Sequence, residues 1–360
     1  MSDLHRGPAA DDRPTPIPAP QREDGVVLIL AIVVIALTVG SAYAFTRSSL
    51  LDILGAQQRM DRTRAELLAR AGPAMAIRAL QEDLASSDPL SAAIEGPRDP
   101  WRLLGAGPIE IEGVGELRIE VMDAGQRISL NDLATGEGLD GDTRRQFLSR
   151  ALERVIENIP GRAEEKRYDP DELADGILDW IDADQQTRLG DEEARFYRDR
   201  RARSLPPDRA LFSLGELEDV PGMDSRLLDA MDAYFSPGLR EPRFAEAGLN
   251  PNTAPPHVLA LVYIVGAGTF LEDEEVYRVL KARQDGQIFC PSEGADEACV
   301  DFASVVNQPG ETLYPAISLE SAVFLVRSRA TVGEASACIT SVLDRSEPNQ
   351  VVTLAYRLDC

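Results

Sequence analysis

An acidic stretch in the middle of the chain, DWIDADQQTRLGDEE, has residue types and spacing suited to binding a metal ion. If Asp182 is position 1 of a twelve-residue calcium loop, Asp184 falls at position 3, Gln186 at position 5 and Glu193 at position 12. Their oxygens are the hard ligands that calcium prefers. Thr187 stands where an EF-hand turn requires glycine, so we predict a calcium loop outside that class. A solvated acidic loop between helices is the alternative interpretation.

Composition disfavours several other chemistries. His5 and His257 are the only histidines, one near the N-terminus and one in a Pro-Pro-His turn, so no histidine-based triad or zinc cluster is expected and we predict that the protein is not an enzyme. A net charge of -24 argues against nucleic-acid binding through a basic face. The segment SLGELEDVPGMDSRLLDAM has the form of a helix-hairpin-helix, a module that binds DNA elsewhere, but its acidic residues would repel phosphates. Structural packing is therefore the expected role of that segment.

An apolar run near the N-terminus predicts a membrane anchor. Val26 to Phe45 contains 20 residues without a charge. As a helix rising about 1.5 Å per residue, the run spans roughly 30 Å, the thickness of a bilayer's hydrocarbon core. The alternative is a signal peptide cleaved after Ala44, which would release a secreted or periplasmic calcium-binding protein.

All four cysteines lie downstream of this run, which favours two disulfides in an oxidising compartment. Cys290 and Cys299 bracket a short polar loop, although two unrelated thiols remain the alternative there. Cys338 and Cys360 flank a predicted β-hairpin, whose antiparallel strands would bring them together. The bulk of the chain is therefore expected on the oxidising side of the membrane.

The remaining patterns divide the chain into segments. Helical periodicity continues beyond Phe45 to about Ser86, and the pair Gly72-Pro73 is expected to kink that helix. Alternating strands follow, then an acidic helical region, then strands again. We predict an α+β fold in which a long N-terminal helix packs on an antiparallel sheet that carries an inserted all-α domain. The predicted boundaries are 1–25 for a leader, 26–45 for the transmembrane segment, 46–130 for the periplasmic helix and first strands, 131–248 for the insertion and 249–360 for the rest of the sheet domain.

This order of segments resembles the general secretion pathway protein K family, the minor pseudopilins of the bacterial type II secretion system. The stretches that carry the resemblance are GVVLILAIVVIAL, DGILDWIDADQQ, SLGELEDVPGMDSRLLDAM, LNPNTAPPHVL and FLVRSRATVG. The resemblance implies a type IV pilin-like fold, an inner-membrane anchor and a place at the tip of the periplasmic pseudopilus. It also implies the minor pseudopilins I, J and H as partners. A DNA-uptake pilin-like protein is a further alternative, which the negative charge disfavours.

The resemblance also implies roles for particular residues. Prepilin peptidase would cut after Gly25 and leave Val26 as a methylated N-terminus. Most pilins carry Glu as the fifth mature residue, whereas this chain has Leu30, as expected of a subunit at the tip. Calcium in the insertion would be bound by Asp182, Asp184 and Glu193, with three more candidate ligands: Asp179, Asp191 and Glu192.

The mature N-terminus distinguishes the two membrane interpretations. N-terminal sequencing of the membrane-extracted protein should begin at Val26 if prepilin peptidase removes the leader. A start at Phe45 would instead indicate signal-peptide cleavage after Ala44 and would contradict the anchored form.

Overall fold

The structure is a computed structural model that describes residues 24–85, 94–96, 99–135, 139–161, 167–200, 204–238, 248–291, 299–347 and 350–358. The chain divides into two compact units, Met1–Met60 and Asp61–Cys360.

The first unit contains most of helix α1, Asp24–Ala69. This helix is long and apolar enough to cross a membrane, with a mean hydropathy of 2.7 over its most apolar window, and none of that window is buried. Leu30 is among the exposed apolar side chains of this helix.

In the second unit the helical path breaks at Arg70, between the end of α1 and the start of α2, Ala71–Leu84. The break lies just ahead of Pro73, which has no backbone N–H to bond to the preceding turn. Arg70 itself keeps helical backbone angles, with φ -66° and ψ -18°, so the kink expected at Gly72-Pro73 stays a prediction. One face of α2 is buried, including Ala76 and Leu80.

A five-stranded antiparallel sheet, in the order β1-β2-β10-β11-β12, packs against α2. Its apolar core includes Leu80, Ile119, Phe324 and Leu343. This arrangement confirms the predicted α+β class. Its strands are β1 (Ile109–Ile111), β2 (Gly115–Asp123), β10 (Val323–Val332), β11 (Ala335–Glu347) and β12 (Gln350–Arg357), and a short helix, α3 (Pro100–Leu103), precedes them.

A helical region interrupts the chain between β2 and β10. Two short strands, β3 (Ile128–Ser129) and β4 (Phe235–Ser236), pair in parallel where the chain enters and leaves this region. The helices between them are α4 (Asn131–Thr135), α5 (Gly141–Asn158), α6 (Pro170–Ile181), α7 (Glu193–Asp199), a 3-10 helix (Leu214–Asp219) and α8 (Ser225–Met231).

After β4 the chain forms small sheets and helices before it returns to β10. One continuous apolar core joins the helical region to these elements, because Phe147 of α5 contacts Tyr263 and Tyr314 edge to face. The elements are α9 (Pro256–Leu259), β5 (Tyr263–Ile264), β6 (Thr269–Phe270), α10 (Asp273–Gln284), β7 (Ile288–Phe289), β8 (Cys299–Val300), α11 (Phe302–Val305) and β9 (Leu313–Tyr314).

A disulfide joins Cys290 and Cys299, with 5.6 Å between their Cα atoms. It closes the loop that connects the paired strands β7 and β8. Cys338, on β11, is also disulfide-bonded, and Cys360 lies outside the described residues.

The stretch LNPNTAP forms a buried turn where the helical region rejoins the sheet. Asn252 exchanges two hydrogen bonds with the backbone of Phe289, at 2.8 and 3.0 Å. Asn250 donates to the Ser321 hydroxyl at 2.9 Å, and Thr253 donates to Asp123 at the end of β2. These side chains are buried and hydrogen-bonded, so their amide and hydroxyl groups join three separate parts of the chain.

The close approach of α2 to the sheet depends on Gly72, because a Cβ atom at that position would lie 2.5 Å from the Cβ of buried Ser328 on β10. We expect Gly72→Ala to lower the free energy of unfolding by about 1–3 kcal/mol through overpacking. In the control Gly55→Ala, the new Cβ would meet only Arg59, at 3.5 Å. Urea unfolding of the full chain in detergent measures both, and equal stability of the two variants would contradict this packing.

Candidate metal centre

The acidic loop begins at the end of an amphipathic helix. Asp169 caps the N-terminus of α6 by accepting hydrogen bonds from the backbone N–H groups of Asp171 and Glu172, and Pro170 occupies the first helical position. The apolar face of α6 packs into the core of the helical region, and this burial also carries Asp179, on the last turn, inside with only 5% of its surface exposed. A carboxylate is thereby placed where water does not reach freely.

The loop folds back so that α7 starts beside the end of α6. The backbone N–H of Thr187 donates to Asp191 at 2.9 Å, and Gly190 adopts a φ of 81° in the turn between them. The N–H of Glu193 then donates to the carbonyl of Gln185 at 3.2 Å. As a result Glu193, the first residue of α7, is only 2% exposed.

Three of the predicted ligands meet at this point. Asp179, Asp182 and Glu193 each place a carboxylate oxygen within 4.8 Å of the other two. Tyr197 donates a hydrogen bond to Oδ2 of Asp179 at 3.0 Å. Oδ1 of Asp182 and both carboxylate oxygens of Glu193 are buried without a hydrogen-bond partner among the described residues.

These unpartnered oxygens fit a bound cation. A buried carboxylate without a donor or counter-charge is costly, so such groups either bind a cation or take up protons. Calcium binds six to eight oxygens in flexible geometry, and carboxylates are its preferred protein ligands. A calcium ion here would be held by Asp179, Asp182 and Glu193, and it would join the end of α6 to the start of α7.

The pKa values of the same three carboxylates are raised because the groups are buried. Burial, together with the negative charges of Asp179 and Asp182, raises the pKa of Glu193 to about 8. Burial likewise raises the pKa of Asp179 to about 7 and that of Asp182 to about 6. In the absence of a cation the group therefore retains protons near neutral pH.

The other three predicted ligands lie outside this group. Asp184 is exposed, and its Oδ1 accepts a hydrogen bond from the backbone N–H of Gln186 at 2.7 Å. Asp191 and Glu192 are also exposed. The structure thus brings together the first and last positions of the predicted calcium loop, with Asp179 from the preceding helix.

A fourth carboxylate near the group was not foreseen from the sequence. Oδ1 of Asp208 is buried without a partner among the described residues, and the charge of Asp208 raises the pKa of both Asp182 and Glu193. Asp208 adopts a φ of 50°, a conformation that aspartate tolerates better than most residues. Its position beyond α7, outside the acidic stretch, gave no spacing signal, so only the folded chain reveals it.

The remaining predicted site residues lie on α1. Val26 and Leu30 are exposed in its apolar part, next to Gly25. In the segment resembling a helix-hairpin-helix, Leu217 and Leu227 are fully buried, consistent with packing.

Comparisons with known proteins converge on one family. A family model described as type II secretion system (T2SS), protein K, matches residues 126–236. The type II secretion system protein K of Pseudomonas aeruginosa is 25% identical over 349 residues, which cover 92% of each chain. The fold is similar to a chain in the crystal structure of the GspK-GspI-GspJ complex from the type 2 secretion system of enterotoxigenic Escherichia coli. That match has a TM-score of 0.56 and 18% identity, and it covers 84% of this chain and 98% of the other.

Calcium should stabilise the protein through Glu193. At 100 times its dissociation constant, one bound ion raises the free energy of unfolding by about 2.7 kcal/mol. We expect calcium to raise the melting temperature of the chelator-treated full chain, and Glu193→Gln to remove most of this increase. Glu192→Gln is the matched control, because Glu192 is adjacent but exposed. If both variants lost the calcium-induced rise in melting temperature equally, the buried carboxylates would not be the calcium ligands.

The raised pKa values predict how stability depends on pH. Without metal, the folded protein retains protons that unfolded carboxylic acids release above about pH 4. The free energy of unfolding should therefore fall as pH rises from about 4 to about 8, the upper limit given by Glu193. Calcium replaces these protons, so the rise in melting temperature that it causes should be larger at about pH 8 than at about pH 5.5. A calcium effect that is independent of pH would contradict this linkage.

Proposed function

We propose that this chain is a minor pseudopilin of the type II secretion system protein K family, and that it initiates and caps the pseudopilus that drives export of folded proteins across the outer membrane. The observation that carries the proposal is the similarity to the Pseudomonas aeruginosa protein over 92% of both chains, because the residues outside the match are too few to include both the leader and the whole apolar helix. A released calcium-binding protein would not need that helix, and nothing in the comparisons favours a DNA-uptake protein.

The anchor and its processing follow from this function. Prepilin peptidase would cleave after Gly25, and the new N-terminal residue, Val26, would be methylated. The apolar part of α1 would then anchor the protein in the inner membrane, with the bulk of the chain in the periplasm. The Cys290–Cys299 disulfide supports this orientation, since disulfides persist in oxidising compartments.

Assembly would use the exposed apolar face of α1 beyond the membrane. Its members are 51–61% exposed, and their spacing puts them on one side of the helix: Leu50, Ile53, Leu54 and Met60. A face of this kind is buried when helices of neighbouring subunits pack together. The minor pseudopilins I and J are the proposed neighbours, since a chain of similar fold occurs in a GspK-GspI-GspJ complex, and H follows from the family.

Two features favour a position at the tip. Leu30 occupies the fifth mature position, where other pilins carry a glutamate that pairs with the N-terminal ammonium of a neighbour in the bilayer. A carboxylate without that partner would be costly in hydrocarbon, so a subunit beyond which no other is added does better without it. The second feature is the size of the helical region between β3 and β4. Along a filament, this region would have to fit between neighbouring subunits at every position, whereas at the tip no further subunit is packed above it.

Helix packing can be tested by adding charge to the apolar face. In co-purification of the full chain with pseudopilins I and J from detergent extracts, Leu54→Glu should lower recovery of the complex at least tenfold, because it would bury an unpaired carboxylate. Ser48→Glu adds the same charge on the opposite side of the helix and should have little effect. Absence of any complex with the unmodified chain would overturn the assembly role.

The tip position needs a separate measurement. Antibody-gold labelling of pseudopili assembled with this chain should mark one end of each filament only. Labels distributed along the filament would contradict capping while leaving membership of the pseudopilus intact.

A further inference from the structure

A second group of buried carboxylates lies in the sheet domain, away from the acidic loop. Asp83 is on the last turn of α2, and Glu95 and Asp99 precede α3. They are 1%, 1% and 3% exposed, and one carboxylate oxygen from each lies within 4.8 Å of the others. No motif in the sequence joins them, because the chain brings them together only on folding.

The buried cation nearest to this group is Arg345, on β11. Its guanidinium donates to Oδ2 of Asp83 at 2.6 Å, to Oε1 of Glu95 and to the carbonyl of Ser321 at 2.8 Å. It also lies 4.7 Å from the centre of the Phe324 ring. One positive charge against three carboxylates leaves a formal charge of -2 in a region that excludes water.

The hydrogen bonds of the carboxylates leave one oxygen without a donor. Trp101 donates to Oε2 of Glu95 at 3.0 Å, and the backbone N–H of Gly96 donates to Oδ2 of Asp99 at 2.6 Å. Oδ1 of Asp83, in contrast, is buried and has no hydrogen-bond partner among the described residues. Buried oxygens are rarely left in this state, so the atom indicates a missing ligand.

We propose that Asp83, Glu95 and Asp99 bind a divalent cation of the calcium class. A double positive charge neutralises the group, and the unpartnered oxygen of Asp83 supplies a hard ligand. Arg345 remains the partner of Oδ2 of Asp83, so the ion and the guanidinium share the carboxylates. The ion links the end of α2 to the segment before α3, both of which pack on the sheet. This site is independent of the one in the helical region.

Uptake of protons is the competing way to neutralise the group. Burial raises the pKa of Glu95 well above its usual value and that of Asp99 to about 6. The charges facing the group are Arg345 on β11, Arg102 on α3 and the buried Asp123 at the end of β2. Protonated carboxyls would bind no metal, so a direct measurement of metal binding separates the two possibilities.

The two tryptophans of the chain allow the sites to be measured separately, since Trp101 contacts Glu95 and Trp180 follows Asp179. In the full chain in detergent, terbium bound at either site should emit light when the nearby tryptophan is excited. In Trp180→Phe, emission should persist, and calcium should compete with it. When Asp99→Asn is added to Trp180→Phe, terbium binding should weaken at least tenfold, although the asparagine side chain can still accept the hydrogen bond from the backbone N–H of Gly96. Asp140→Asn, an exposed helix cap, should leave it unchanged.

Calcium stoichiometry by titration calorimetry provides a second measurement if a tryptophan variant folds poorly. Asp99→Asn should bind one ion fewer than the unmodified chain. The proposed site would be overturned if Asp99→Asn bound as many calcium ions as the unmodified chain. It would also be overturned if adding Asp99→Asn to Trp180→Phe left the terbium emission unchanged. Absence of any calcium bound by Glu193→Gln, in which this second group is intact, would also overturn it.

Discussion

Burial of carboxylates is the constraint on which the Asp61–Cys360 unit depends. Its two buried carboxylate groups hold together segments that are remote in the chain or separated by a loop: Asp179, Asp182 and Glu193 at the junction of α6 and α7, and Asp83, Glu95 and Asp99 beside Arg345. Each group carries more negative charge than the described residues around it neutralise. The segments can pack as they do only if something positive, a cation or protons, occupies the centre of each group.

The connection between the helical region and the sheet depends on strand pairing and neutral hydrogen bonds rather than on charge. The parallel pair β3-β4 brings entry and exit together, so the helical region can be accommodated without opening the five-stranded sheet. On the exit side, the buried polar side chains of Asn250, Asn252 and Thr253 hold the chain against β2 and β7. Because one apolar core runs from α5 to β9, the helical region is tied to the elements that follow it in the chain.

Helix α1 meets two environments with one continuous secondary structure. Its first part has apolar side chains on all sides, as a lipid-facing helix requires, whereas its later part has most of them on one side. Beyond the break at Arg70, small residues such as Gly72 and Ala76 let α2 approach the sheet closely. In the proposed pseudopilus, the surroundings of the helix would change from lipid to partner helices and then to the protein's own sheet.

Local patterns in the sequence determined the apolar span, the amphipathic helix after it, the antiparallel strands and the pairing of Cys290 with Cys299, because each depends on spacing within about one element or loop. The spacing of Asp182 and Glu193 also predicted two residues of the buried group. Only the tertiary structure decided that Asp184, Asp191 and Glu192 stay at the surface, that Asp208 approaches, and that Asp83, Glu95 and Asp99 meet around Arg345. Burial and long-range charge depend on which distant segments pack together, and no local period in the sequence records that choice.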